Sequence, residues 1–327
     1  MDAVYLQTND AENNEVVAFR RADDGTLSAL GTYGTGGRGT GKPHLASQSS
    51  IVVSGDRLLV VNAGSDDVSL FAVTPDGLAL LDRMASGGSM PTSIAVLDSQ
   101  VYVLNAGGEA NVAGFALEGD SLEPSGDTRA LHGADPAQIG FTPDGSSLIV
   151  TDRATDSLLE LPVAGGDAIR HASSGATPYG FDFRHDGTLV VTEAFGGTVG
   201  AAAASSYGAG ITPVSKSVAN TRSEVCWAAV TKDGRYVFVT NFGDGTISSY
   251  AIGDDGSLEL VDAVAGSTTL GKKGVRDESL SSDGRYLYAL DADARKVFAF
   301  AVRHDGRLDP VGDTDGLPAT AAGLAAV

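Results

Sequence analysis

The residues best suited to chemistry are Arg276-Asp277-Glu278, a guanidinium beside two carboxylates. A carboxylate near water is a candidate general base, and an arginine is a candidate clamp for a substrate carboxylate or a developing oxyanion. The same triplet reads equally as an ion pair tying neighbouring structure together, since charges removed from water demand partners. A second group is Glu193 with the pair Asp152-Arg153, whose long side chains can reach past the turns they begin. Trp227, the sole tryptophan, adjoins Cys226, the sole cysteine, and reads either as packing or as an apolar wall. Lys272-Lys273 make a local cationic spot that would suit an anion or simply a solvated loop.

These groups need a scaffold, and the scaffold is written as a repeat. A β-rich run ending in a small polar or acidic residue recurs seven times, at Asn9, Asn62, Asn105, Asp152, Glu193, Asn241 and Asp291. The anchors lie 41 to 53 residues apart, 47 on average. Each is followed by a turn and an alternating strand such as Thr246-Ile247-Ser248-Ser249-Tyr250-Ala251-Ile252. Asp-Gly pairs at 144–145, 186–187, 233–234 and 283–284 precede later anchors and supply the positive φ of tight hairpins.

Four short strands per unit of this length match a propeller blade, so the fold class is all-β, a seven-bladed β-propeller. One domain spanning residues 1–327 is expected, because a closed ring needs no linker. The chain starts on a second strand, and its tail, 318–327, falls where another inner strand would begin. The tail is therefore expected to complete the first blade and hide its edge. The alanine run 201–204 falls in the third strand of blade five, and the glycine-rich 34–42 in the outer-strand loop of blade one.

Composition narrows the function. The formal charge of -20 disfavours nucleic acid and anionic membrane surfaces as partners. A single cysteine rules out an intrachain disulfide and a thiolate cluster, and the five histidines show no metal-binding spacing. No cofactor is required on this reading, although Ca²⁺ or Mg²⁺ held by channel carboxylates stays open. No apolar run of membrane-spanning length and no leader pattern is present, so the chain as given reads as cytoplasmic; a removed leader would make it periplasmic or secreted.

Loops entering inner strands and turns leaving second strands share one face of such a ring, where ligand residues should collect. Counting back eight residues from the hairpin aspartates aligns Pro136, Pro178, Val225 and Val275. Their successors include Gln138, Tyr179, Trp227 and the Arg276-Asp277-Glu278 triplet. The anchors Asn241 and Asp291 most simply bond their own turns, and also stand near that face.

The segments Leu-Ile-Val-Thr-Asp (148–152) and Val-Phe-Val-Thr-Asn-Phe-Gly-Asp-Gly-Thr-Ile (237–247), each after an Asp-Gly hairpin, resemble the seven-bladed lactonase family. That family includes the propeller type of 6-phosphogluconolactonase and fungal carboxymuconate lactonizing enzymes. Val-Tyr-Val-Leu-Asn-Ala-Gly-Gly (101–108), residues 224–236 and Gly-Leu-Pro-Ala (316–319) resemble in particular a bacterial, lactonase-like branch. The resemblance implies a ring-ester substrate. The histidines that sugar-lactonase members place at inner-strand starts are absent at the matching positions here, and the one Pro-His pair, Pro43-His44, falls before an aligned strand.

Two functions follow. One is a hydrolase or cycloisomerase for a small anionic lactone, with Glu278, Asp277 or Glu193 as base, Arg276 and Arg153 as anion partners, and Gln138, Tyr179, Trp227, Asn241, Asp291 and His44 lining the site. The other is a non-catalytic scaffold that binds a ligand or protein partner on the same face.

Overall fold

The computed structural model describes residues 2–43 and 45–327. It contains seven four-stranded antiparallel sheets arranged as a ring. Blade two runs Ile51–Ser54, Arg57–Asn62, Asp67–Thr74 and Gly77–Ala85 from the axis outward, and blades three to seven repeat that order. The inner strands of blades three to seven are Ser89–Leu97, Pro136–Phe141, Pro178–Phe183, Val225–Val230 and Val275–Leu280. Ala203–Gly208 is the third strand of blade five, as its place in the repeat requires.

Blade one is closed by both chain ends. Its inner strand is the C-terminal Ala322–Ala326, paired antiparallel with Ala3–Gln7 through Val4↔Ala326 and Tyr5↔Ala325. Blade seven is bound to it from the side: Tyr286 and Tyr288 donate hydroxyl hydrogens to the carbonyls of Asp23 at 2.7 Å and Gly25 at 2.9 Å. Arg21, almost fully buried, bridges Asp2 at 3.1 Å and Asp283 at 3.2 Å.

The apolar core lies between blades. Buried residues fall into clusters that each join neighbouring sheets, for example Phe238 and Ile247 of blade six with Leu287 and Phe300 of blade seven. Strands covered on both faces need apolar residues on both, which explains near-continuous runs such as Leu58–Val61 and Leu148–Val150. Outer strands such as Ser121–Ala130 face water, with Leu122 the one buried residue of that strand.

The Asp-Gly turns are wider than two-residue hairpins. Thr142 and Ser147 close a five-residue connection, with Gly145 at φ 69° and the Asp144 carboxylate accepting from Ser146 N at 3.0 Å and Thr142 Oγ1 at 2.7 Å. The glycine supplies the left-handed residue as expected, while the aspartate side chain takes over part of the hydrogen bonding. Those bonds hold the Asp144 carboxyl at about 2. The glycine-rich loop of blade one is similarly tied down, because Gly39 and Gly41 donate to the carbonyls of Asp10 and Asn9.

Removing residues 318–327 would uncover the edge of Ala3–Gln7 and the packing surface of Leu324. The truncated chain should melt about 10 °C or more below the full chain in circular dichroism, if it folds at all. An unchanged melting temperature would contradict closure by this strand.

Candidate functional site

All seven anchors are fully buried, at 0% exposure. Asn62 accepts from Thr35 Oγ1 at 2.7 Å, Asn105 donates to the Ser86 carbonyl at 3.0 Å, Asn241 accepts from Asn220 Nδ2 at 2.9 Å, and Asp291 accepts from Thr268 and Thr269 at 2.7 and 2.8 Å. In each case the partner follows the outer strand of the preceding blade. Asn241 and Asp291 are thus joints between blades, with Asn241 also donating to Thr246 and Ser248 of its own sheet. Their polar atoms are engaged by the fold, and neither residue lines the mouth cavity.

Glu193 is the corresponding anchor of blade five. Its two carboxylate oxygens accept from Ser205 at 2.5 Å and Ser217 at 2.6 Å, and burial pushes its carboxyl up. The expectation that this longer side chain reaches the channel is corrected: it points outward along its own sheet, toward the third and outer strands.

A cavity of about 400 Å³ opens over blades four to seven on the face where inner strands begin. Three positions of the repeat build it. Residues before the inner strands give Asp135, Thr177 and Glu224; residues one step inside them give Tyr179, Cys226 and Arg276; residues after the anchors give Arg153, Ala194 and Phe242. Arg153, Tyr179 and Arg276 are therefore brought together as expected. Thr177 and Glu224 hold φ of 57° and 54°, a left-handed backbone that is costly for a β-branched threonine and that turns both side chains at the strand entrance.

The cavity's charges are arranged in pairs. Arg153 binds Asp135 at 2.6 Å and lies 5.0 Å from the Tyr179 ring centre. Arg276 binds Asp293 at 2.9 Å and lies 4.5 Å from the Phe242 ring centre. Lys273 binds Glu224 at 2.7 Å. Arg276 is paired within its own blade and does not stitch blade seven to blade one. Its buried Nε meets no acceptor. Such aromatic faces orient a guanidinium while leaving donors directed at the cavity. Burial, with Glu224 next, raises the Cys226 thiol to about 12, which leaves little thiolate for nucleophilic chemistry.

Trp227 is fully buried and forms packing, with its ring 4.9 Å from Tyr179 and its indole N–H donated to the Arg276 carbonyl. It supports the cavity floor without lining it. Gln138 joins blades four and five by donating to the Phe181 carbonyl at 2.9 Å and accepting from Phe181 N at 2.8 Å. Both side chains are structural for the same reason: their polar groups are satisfied by backbone. His44 lies outside the described residues.

The triplet divides along the channel. Arg276 faces the cavity, while Asp277 and Glu278 continue inward and are 3% and 2% exposed. Between the two ends runs Gln48, from the loop before blade two: its side chain donates to the Ala228 carbonyl of blade six at 2.8 Å, and the Gln48 backbone carbonyl accepts from Ser93 Oγ of blade three at 2.7 Å. A side chain joining blades two and six must cross the axis. Gly180 permits this, since a Cβ there would stand 2.6 Å from the Cys226 oxygen, 2.8 Å from Trp227 Cα and 2.9 Å from Gln48 Oε1. Glu278 is thus separated from the cavity that holds Arg276, so the two do not form the expected acid-base site.

The sheets and this mouth cavity define a seven-bladed β-propeller with a ligand-sized site beside its axis. Within that class, residues 192–315 match the family model described as Lactonase, 7-bladed beta-propeller. The likeness to the lactonase family is therefore shown across blades five to seven. No curated protein matches the chain. Among solved structures, the periplasmic gluconolactonase of Pseudomonas aeruginosa is 17% identical with a TM-score of 0.76, covering 99% of either chain. A proposed 6-phosphogluconolactonase from Bacteroides fragilis is 19% identical with a TM-score of 0.73, covering 100% of this chain and 98% of that one. A Lactobacillus plantarum protein is 16% identical with a TM-score of 0.76, covering 100% and 99%. At these identities the structures share the fold. Among the described residues no helix is long and apolar enough to cross a membrane.

Gly180→Ala should cost about 1–3 kcal/mol in denaturant unfolding, because the contacts it would violate are mostly backbone; a neutral result would remove the crowding at the axis. The buried acids make stability depend on pH. Desolvation raises Asp182 to about 6 and lifts Asp277 and Glu278 well above the usual carboxylate range, the latter further raised by Asp277 and Asp182. Folding therefore favours their protonated forms: this contribution is complete below about pH 4 and is lost as pH rises through the folded-state values. Glu278→Gln, neutral at every pH, should melt about 2–4 °C above the parent at pH 8 and close to it at pH 4. Parallel melting curves across that range would refute the sign.

Proposed function

We propose that the chain is a lactonase-like hydrolase that opens a small, negatively charged lactone in the cavity over blades four to seven. One observation carries this reading: Arg153, Arg276 and the carboxylate Glu224 line a single cavity of about 400 Å³, a size suited to a small ring. The match to the lactonase family model and the gluconolactonase among the structural relatives support the same class of reaction.

In this mechanism Arg153 receives the substrate's anionic group. Glu224 takes a proton from a water molecule as its oxygen bonds the lactone carbonyl carbon. Arg276, held by Asp293 through Nη2 alone, donates from its remaining guanidinium N–H groups to the oxyanion that forms. Collapse breaks the ring C–O bond, and the proton held by Glu224 passes to the departing alkoxide. The base is thus assigned to Glu224, on the cavity wall, in place of Glu278, Asp277 and Glu193.

A binding scaffold is the second reading, favoured by the ion pairs that already engage Arg153, Arg276 and Glu224. A panel of sugar and dicarboxylate lactones separates the two. Hydrolysis by the parent, with kcat/KM lowered about 10²–10³-fold in Glu224→Gln and Arg276→Ala and unchanged melting temperatures, is expected. Full activity in both variants, or saturable binding without turnover, would overturn the enzyme assignment.

A further inference from the structure

Beyond Gln48 the channel holds a second cavity of about 210 Å³, lined by Gln48, Glu278 and Ser279 and by the ends of the inner strands of blades one and two. Glu278 is 2% exposed, and neither of its carboxylate oxygens meets a hydrogen-bond donor of the protein. This is unlike Glu193, equally buried but bonded by two serines. A buried carboxylate without donors is costly unless neutralised or matched by positive charge.

The surroundings sharpen the mismatch. Asp277 adds a second buried carboxyl, and Asp182 of blade five faces the same region, its oxygens accepting from Phe183 N and Val230 N. Lys232 is the cation that acts on Asp182, and Arg276 is committed to the mouth cavity and Asp293. The inner strands of blades one, two and seven have no strand partner on the axial side, so their carbonyls offer further oxygen acceptors to this cavity.

We propose that this inner cavity is a binding site for one small cation, with the Glu278 carboxylate as its charged ligand and backbone carbonyls completing an oxygen shell. Oxygen-only ligation suits a hard ion such as Ca²⁺ or Na⁺, and the same carboxylate and carbonyls suit a primary ammonium group. Among the described residues no group of three or more histidine, cysteine, aspartate or glutamate side chains is placed to hold a metal, so the proposed shell has Glu278 as its one charged ligand. The site is independent of lactone hydrolysis, since Gln48 separates it from the mouth.

The test measures thermal stability and binding heat of the full chain with CaCl₂, MgCl₂, NaCl and methylammonium chloride at pH 8 and matched ionic strength. Glu278→Gln controls for screening of the molecule's -20 formal charge. One of the four cations should raise the parent's melting temperature by about 2 °C or more at saturating concentration, with an effect several-fold smaller in Glu278→Gln and weaker at pH 5, where protons compete. Gln48→Ala should keep the response, since that side chain closes the cavity without supplying its charge. Equal shifts in parent and Glu278→Gln for every cation, or no shift in either, would overturn the site. Which cation acts distinguishes a metal from an ammonium ligand.

Discussion

The structure depends on a ring of buried polar joints. In blades two, three, six and seven the second strand ends with a side chain that bonds the segment after the outer strand of the sheet before it, as with Asn62 to Thr35 and Asp291 to Thr268. Hydrophobic contact between blades is strong but permits sliding, whereas a buried amide or carboxylate left unbonded by a small slip costs about 1–3 kcal/mol. These joints therefore set the register in which the sheets they link meet. They also explain why residues adjacent to them, Arg153 after Asp152 and Phe242 after Asn241, emerge on one face.

That coupling places a site on the fold without dedicating any strand to it. The joint takes one position of the repeat, and the positions around it are free to vary between blades. In blades four and seven the free positions hold arginines, in five and six aromatic residues, and the two kinds interlock: Arg153 over Tyr179, Arg276 over Phe242. A guanidinium resting on a ring loses little entropy when it meets an anion, because its orientation is already set.

Much of this was legible in the sequence because period and turn chemistry are local. The anchor spacing gave seven blades, and the missing inner strand of blade one pointed to the tail. Arg153, Tyr179 and Arg276 were found because the hairpin aspartates align the inner strands. Glu224, Asp135 and Phe242 were not legible although the same alignment contains them, because strand spacing fixes where the inner strands begin and not which flanking residues turn toward the mouth. Glu193 misled by its type, since a carboxylate in an asparagine place looks chemical until Ser205 and Ser217 are seen to satisfy it. Gln48 could not be read at all, because its partner Ala228 lies 180 residues away and only the closed ring makes them neighbours.

That crossbar has a mechanical meaning. A tunnel open at both ends would let solute stream through and let opposite walls breathe independently. With an amide spanning from blade two to blade six, traffic must enter and depart by the same doorway, and any widening of the ring pulls on a bond at its hub. The molecule behaves less like a pipe than like a wheel with one spoke.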